Sequence, residues 1–164
     1  MRRLQLPREV SGRLYLSSMP GLNRSIRAEF EAWKRADIGL LISLTPMEEI
    51  ASRSPAFHAA LCGDGVPVEH ILFPILDFDV PGDRGSYLEL VKSVCERLGE
   101  GEHVLVHCFG GIGRTGMTAT CILLWLGVEL HEARTRVQAA GGGAETASQK
   151  ELIEWAHRSI GEIR

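Results

Sequence analysis

The segment from His107 to Gly116, HCFGGIGRTG, carries the residue types best suited to chemistry. Cys108 supplies a thiol, and Arg114, six positions later, supplies a guanidinium. A thiolate is a strong nucleophile, and a guanidinium fork matches two oxygens of one phosphate. Gly111, Gly113 and Gly116 also spell G-x-G-x-x-G, the turn that seats a dinucleotide pyrophosphate. Both readings put the segment between a strand and a helix, and both cradle phosphate.

The dinucleotide reading asks for a second strand after the helix, ending in an acidic residue about 20 positions on. Glu129 and Glu132 have roughly that spacing. The chain offers no such strand, because ATCILLWLG runs into ELHEARTRVQAA, whose pattern is helical. More than 100 residues precede the motif, whereas the first such turn usually lies near a domain's start. A Walker loop is excluded, since no Gly-Lys-Ser/Thr occurs.

The cysteine reading accounts for more of the residues. Cys108 follows an apolar strand and precedes a glycine-rich turn, so backbone N–H groups from Phe109 to Arg114, through Gly110, Gly111, Ile112 and Gly113, can point at one oxyanion. A helix opening near Thr115 adds its positive end. These surroundings favour a thiolate at Cys108. A buried, inert cysteine is the ordinary reading of Cys62, Cys95 and Cys121. At position 108 it leaves Arg114 and the glycines unexplained.

The elements that must position this loop are visible on either side of it. Strand-like runs occur at 13–18, 38–44, 68–75 and 103–107. Helical periodicity appears over 25–36 (Ile26, Phe30, Trp33) and over 87–98 (Tyr87, Leu90, Val91, Val94, Leu98). The segment 46–65 reads as one or two short helices bounded by Pro46, Pro55 and GDG. Three helices follow the loop, at about 115–127, 130–140 and 148–161, with AGGGAE breaking the last two. Alternating strands and helices imply an α/β fold with a small, mainly parallel sheet flanked by helices on both faces. Ligands then sit at the carboxyl ends of the strands, where Cys108 falls.

Composition sets the outer limits. The 164 residues suit one domain spanning 1–164, with 45% hydrophobic and 24% charged residues. A formal net charge of −3 gives no general attraction for nucleic acid or for an anionic membrane surface. MTATCILLWLGV is too short to cross a bilayer, and the amino-terminal MRRLQLPREV lacks the apolar core of a secretory signal. Four widely spaced cysteines, with no C-x2-C pair, match neither a zinc site nor a disulfide framework. A monomer in a reducing cytoplasm is the expectation, with no metal and no organic cofactor.

VHCFGGIGRTG resembles the H-C-x5-R-[S/T] signature of the protein tyrosine and dual-specificity phosphatase superfamily. Within it the chain looks most like the kinase-associated phosphatase type and its compact prokaryotic relatives. SSMPG (17–21), FPILDFDVPGD (73–83) and GAETASQKELIEW (143–155) extend the likeness over most of the chain. The resemblance implies Cys108 as nucleophile, Arg114 as phosphate clamp and Thr115 as hydrogen-bond donor to the thiolate. It makes His107 an organiser of the loop, Gln149 the residue that positions hydrolytic water, and Glu145 a structural support. Asp77 matches the general acid through its Pro-Ile-x-Asp setting, with Asp79 and Asp83 as competitors in the same loop. Arsenate reductases and low-molecular-weight phosphatases also use Cys-x5-Arg, but their acid follows the loop, whereas Asp77 precedes Cys108.

The implied activity is hydrolysis of phosphotyrosine and phosphoserine or phosphothreonine in proteins through a phosphocysteine. Two alternatives stand beside it. One is a pseudo-phosphatase that only binds phosphoproteins; the other is a phosphatase of an inositol-type small molecule or lipid.

Overall fold

The computed structural model describes residues 1–63 and 65–163. Five strands form one sheet: β1 (Arg2–Leu4), β2 (Arg13–Ser17), β3 (Ile38–Ser43), β4 (Glu69–Leu72) and β5 (His103–His107), in the spatial order β1-β2-β5-β3-β4. Four of them run parallel, and β1 pairs antiparallel with β2 at one edge. The sheet is mainly parallel, as the alternation of elements predicts. β1 was not legible as a strand, because three residues before a proline-containing loop carry no period.

Strand alternation sorts the core into two layers. Leu14, Leu16, Leu40, Ile42, Val104 and Val106 face α4 (Arg84–Gly99), α5 (Gly113–Trp125), α6 (Leu130–Ala139) and α7 (Ala147–Ile163). Tyr15, Leu41 and Leu105 face the other way, toward α1 (Ile26–Arg35), α2 (Met47–Arg53) and α3 (Pro55–Cys62). The ambiguous 46–65 segment is thus two short helices. Residue 64, within that segment, lies outside the described residues.

Local signals set the helix starts. Ser25 accepts a hydrogen bond from Ala28 N at 3.2 Å and opens α1. Asp83 accepts from Ser86 N at 2.6 Å and opens α4, the usual work of an N-cap aspartate. The backbone hydrogen bond from Ser86 lowers the Asp83 pKa below the ordinary aspartate value. Among the described residues, no helix is long and apolar enough to cross a membrane.

Register is what places the site. Ser17 of β2 and Ser43 of β3 both stand opposite His107 at the end of β5. The segments leaving three neighbouring parallel strands therefore converge around Cys108. β4 ends earlier than the pattern over 68–75 suggests, since Pro74 has no N–H to donate. The chain still follows β3, with Phe73 N donating to Ser43 O (2.9 Å) and Ile75 N to Leu44 O (3.0 Å). That path carries Asp77 over the same strand ends.

Candidate active site

Cys108 is the first residue beyond β5 and is 3% exposed. The loop after it turns its carbonyls away from the site and fastens them. Met19 N donates to Phe109 O at 2.9 Å, and Gly143 N and Gly116 N donate to Ile112 O at 3.1 and 2.8 Å. None of the backbone N–H groups from Phe109 to Thr115 donates to another described group. A trans peptide points its N–H opposite to its C=O, so these amides face inward together. A run of N–H groups left without an acceptor around one point makes a concavity suited to an anion.

Glycine is required in this loop by sterics. Gly111 has φ 71°, and a Cβ there would lie 2.4 Å from Ser17 O. A Cβ at Gly116 would lie 2.0 Å from Gly143 N, so α5 and the GGG segment could not close on each other. At Gly113 it would meet Glu145 Oε2 at 2.1 Å. Glu145 thus rests against the first turn of α5.

Arg114, on the first turn of α5, is 1% exposed. Its Nη1 donates to Glu49 Oε2 (3.0 Å) and Ile75 O (2.9 Å), and its Nη2 donates to Glu49 Oε1 (3.0 Å). Asp77 Oδ1 forms an ion pair with Nη2 at 3.0 Å. Nε is buried and has no hydrogen-bond partner among the described residues. Burial works against the charge, but the Glu49 hydrogen bond, the nearby Cys108 and the Glu49 and Asp77 charges outweigh it and raise the Arg114 pKa. Glu49 holds the Nη1–Nη2 edge, so the Nε–Nη2 edge is the one left for two phosphate oxygens.

Glu49 was not singled out from the sequence. It lies in α2, in the segment that follows β3, and local pattern makes it one of two adjacent surface acids, Glu48 and Glu49. The one available signal is position: a carboxylate just past a strand that neighbours β5 must face the same end of the sheet.

His107 is fully buried, and its Nδ1 lies 3.1 Å from Cys108 O. Burial, with a further push from the Arg114 charge, lowers its pKa to about 4. It is therefore neutral near pH 7 and donates from Nδ1 to the carbonyl. Its ring also meets Phe57 edge-on at 5.4 Å. All the buried side-chain polar atoms without a partner among the described residues lie in this neighbourhood: Ser43, Thr45, His107, Arg114 and Thr115. Thr115 Oγ1 makes no hydrogen bond here.

Gln149 is fully buried at the start of α7. Its Oε1 accepts from Glu145 N (2.8 Å) and Thr146 N (3.4 Å), and its Nε2 donates to Asp79 O (3.3 Å). Its amide therefore fastens the acid-bearing loop to the 145–146 turn. Asp79 turns its own carboxylate to Val80 N at 2.8 Å, and Asp83 caps α4. Of the three loop aspartates, Asp77 is the one that contacts Arg114. No group of three or more His, Cys, Asp or Glu side chains among the described residues could hold a metal ion.

A buried cysteine at the end of a central parallel strand, a glycine-rich loop and a clamped arginine on the next helix sit on a dual-specificity phosphatase fold. The same architecture is found in kinase associated phosphatase with its catalytic-site cysteine replaced by serine. That structure has a TM-score of 0.83 and 22% identity, over 98% of this chain and 94% of that one. Tk-PTP in its active form aligns with a TM-score of 0.72 and 28% identity, over 91% and 94% of the two chains. Residues 10–160 match the PTP-SAK model, described as a Swiss Army Knife protein, DSP-PTPase phosphatase domain, and the chain belongs to that family. Cyclin-dependent kinase inhibitor 3 of Rattus norvegicus is 30% identical over 119 residues, covering 69% of this chain and 55% of that protein. The chain thus spans about half the length of that relative.

Proposed function

We propose that the protein is a cysteine-dependent phosphomonoesterase acting on phosphorylated side chains of proteins. The observation that carries this reading is the unpartnered amide ring from Phe109 to Thr115 around Cys108, completed by the unpartnered Nε of Arg114.

In the proposed reaction, Cys108 Sγ attacks phosphorus and forms an S–P bond as the ester P–O bond breaks. Charge growing on the equatorial oxygens meets the amides and the Nε–Nη2 edge of Arg114. Asp77, protonated, gives its proton to the departing oxygen. The resulting carboxylate then takes a proton from water as water attacks the phosphocysteine, which releases phosphate and the thiolate. His107 serves by holding the Cys108 carbonyl, and Gln149 by holding the acid loop in reach. Thr115 Oγ1, buried and unpaired, is free to donate to the thiolate.

A protein substrate is favoured by the rim of the site. Phe109, Gly110, Gly111, Ile112 and Gly113 supply no cation for additional phosphates. Ile112, Leu76 and Phe78 are 44%, 65% and 58% exposed, which gives the mouth an apolar border suited to a peptide. We further propose a single catalytic domain working as a monomer in the cytoplasm, where its four cysteine side chains stay reduced. The deciding experiment compares kcat/KM for phosphotyrosine peptides, phosphothreonine peptides and soluble inositol phospholipids. Both peptide classes are expected to turn over, and a preference of about tenfold or more for the lipids would overturn the substrate class.

A further inference from the structure

Arg2 lies on β1, the strand that sequence pattern did not announce, far from Cys108 along the chain. Its guanidinium nevertheless reaches the phosphate loop. Nη2 donates to Gly111 O, and Nη1 donates to Gly141 O at 2.8 Å. Gly141 leaves room for it, since a Cβ there would lie 2.7 Å from Nη1.

The loop's other fastened carbonyls have local or backbone partners: Cys108 O accepts from His107, Phe109 O from Met19 N, and Ile112 O from Gly143 N and Gly116 N. Gly111 O is the one held by a charged side chain. Gly111 has no side chain of its own to fix the plane of the peptide that follows it, and glycine permits wide rotation there. Holding the Gly111 carbonyl outward turns the Ile112 N–H inward, because the two groups of a trans peptide are opposed.

We propose that Arg2 is a positioning residue for the phosphate loop, which fixes the Ile112 N–H toward the bound anion and ties the loop to the GGG segment through Gly141. The proposal rests on reading the loop as an anion cradle. Of the amino-terminal arginines, Arg2 is turned onto the carbonyls of Gly111 and Gly141, while Arg3 and Arg8 remain exposed. Lysine could replace the charge but could not span two carbonyls with a rigid fork.

The test titrates inorganic tungstate into the full chain by calorimetry, and measures kcat and KM on an aryl phosphate, for wild type and for Arg2→Met, Arg2→Lys and Arg3→Met. Circular dichroism at the assay temperature confirms that each variant is folded. Arg2→Met is expected to bind tungstate about tenfold more weakly, the scale of one lost charge-assisted contact. Arg2→Lys should recover part of the loss, and Arg3→Met should match wild type. Tungstate affinity in folded Arg2→Met or Arg2→Lys within twofold of wild type would overturn the assignment, as would an equal loss in Arg3→Met. The titration needs no turnover. A wild-type chain that binds tungstate but hydrolyses no aryl phosphate would therefore sink the catalytic reading and leave the Arg2 test standing.

Discussion

Asp77 Oδ1 stands 3.0 Å from Arg114 Nη2, on the guanidinium edge that a phosphate would need. The proposed acid is thus held beside the phosphate clamp. In the proposed reaction an incoming phosphate competes for Nη2 and frees the carboxylate, which takes up a proton from solvent before it serves as the acid. Asp77 is about half exposed, so this ion pair is worth little and exchanges readily.

Asp77→Asn should therefore change two measurements in opposite directions. Turnover of alkyl phosphates is expected to fall about a hundredfold, and turnover of activated aryl phosphates far less, because proton donation matters most for a basic leaving oxygen. Binding of inorganic phosphate should tighten by a few-fold once the competing charge is gone. Finding the leaving-group pattern in Asp79→Asn instead would move the acid to Asp79.

Cys108→Ser should abolish turnover, by at least about a thousandfold in kcat, and leave oxyanion binding largely intact. A hydroxyl with no adjacent base is a poor nucleophile, while the amide ring and Arg114 are untouched. Rapid acid quench of wild type with labelled substrate should capture a phosphoenzyme that the variant lacks. Residual activity within tenfold of wild type would exclude the covalent route.

Glu49→Ala leaves the buried Arg114 without its bidentate partner. The expected cost is about 2–3 kcal/mol of stability, discounted from a fully buried pair because Glu49 keeps some solvent contact. The guanidinium also loses its fixed orientation, so kcat/KM should fall about a hundredfold. Glu49→Gln retains one acceptor and should sit between. Thermal melts read the first effect and steady-state kinetics the second. Wild-type kcat/KM in Glu49→Ala would refute the positioning role.

His107 gives a pH signature in stability. Its folded-state pKa is lowered to about 4 from an ordinary 6.5, so the unfolded chain binds the proton more readily between those values. Stability should be level above pH 6.5 with respect to this group, and should fall on acidification by about 1.4 kcal/mol per pH unit until pH 4. His107→Asn keeps a donor for the Cys108 carbonyl but does not titrate. Urea melts across this window should show a shallower acid slope for the variant, and identical slopes would contradict the assignment.

The loop and its flanking elements could be read from the sequence because their signals are local. Cys108, Arg114 and the glycines up to Gly116 lie within nine residues, and the helical faces of α4 and α7 repeat at a fixed period. The Pro-Ile-x-Asp setting singled out Asp77, which the fold places beside Arg114. Glu49 and Arg2 were not, since each acts across the sheet on a partner more than 60 residues away. An acid in a short surface helix and an arginine in a basic run have the same local look whether or not they reach a loop. Gln149 was placed near the site, but its three hydrogen bonds, to both the 145–146 turn and Asp79 O, depend on how α7 docks. Asp83 shows the converse: it reads as one more loop acid in the sequence, and in the fold its carboxylate caps α4.

The two halves of the proposed reaction are mounted on unequal parts of one sheet. Cys108 hangs from β5, which is paired along its whole length on both sides, whereas Asp77 follows β4, an edge strand bonded to β3 alone. Amide protons of β5 should therefore exchange with solvent only when the whole molecule opens, and those of β4 through local fraying. Partial opening that starts at this edge would remove the proton donor first and spare the nucleophile and its cradle. The molecule left behind would still hold a phosphorylated side chain, and would release its leaving group only when that group needs no proton.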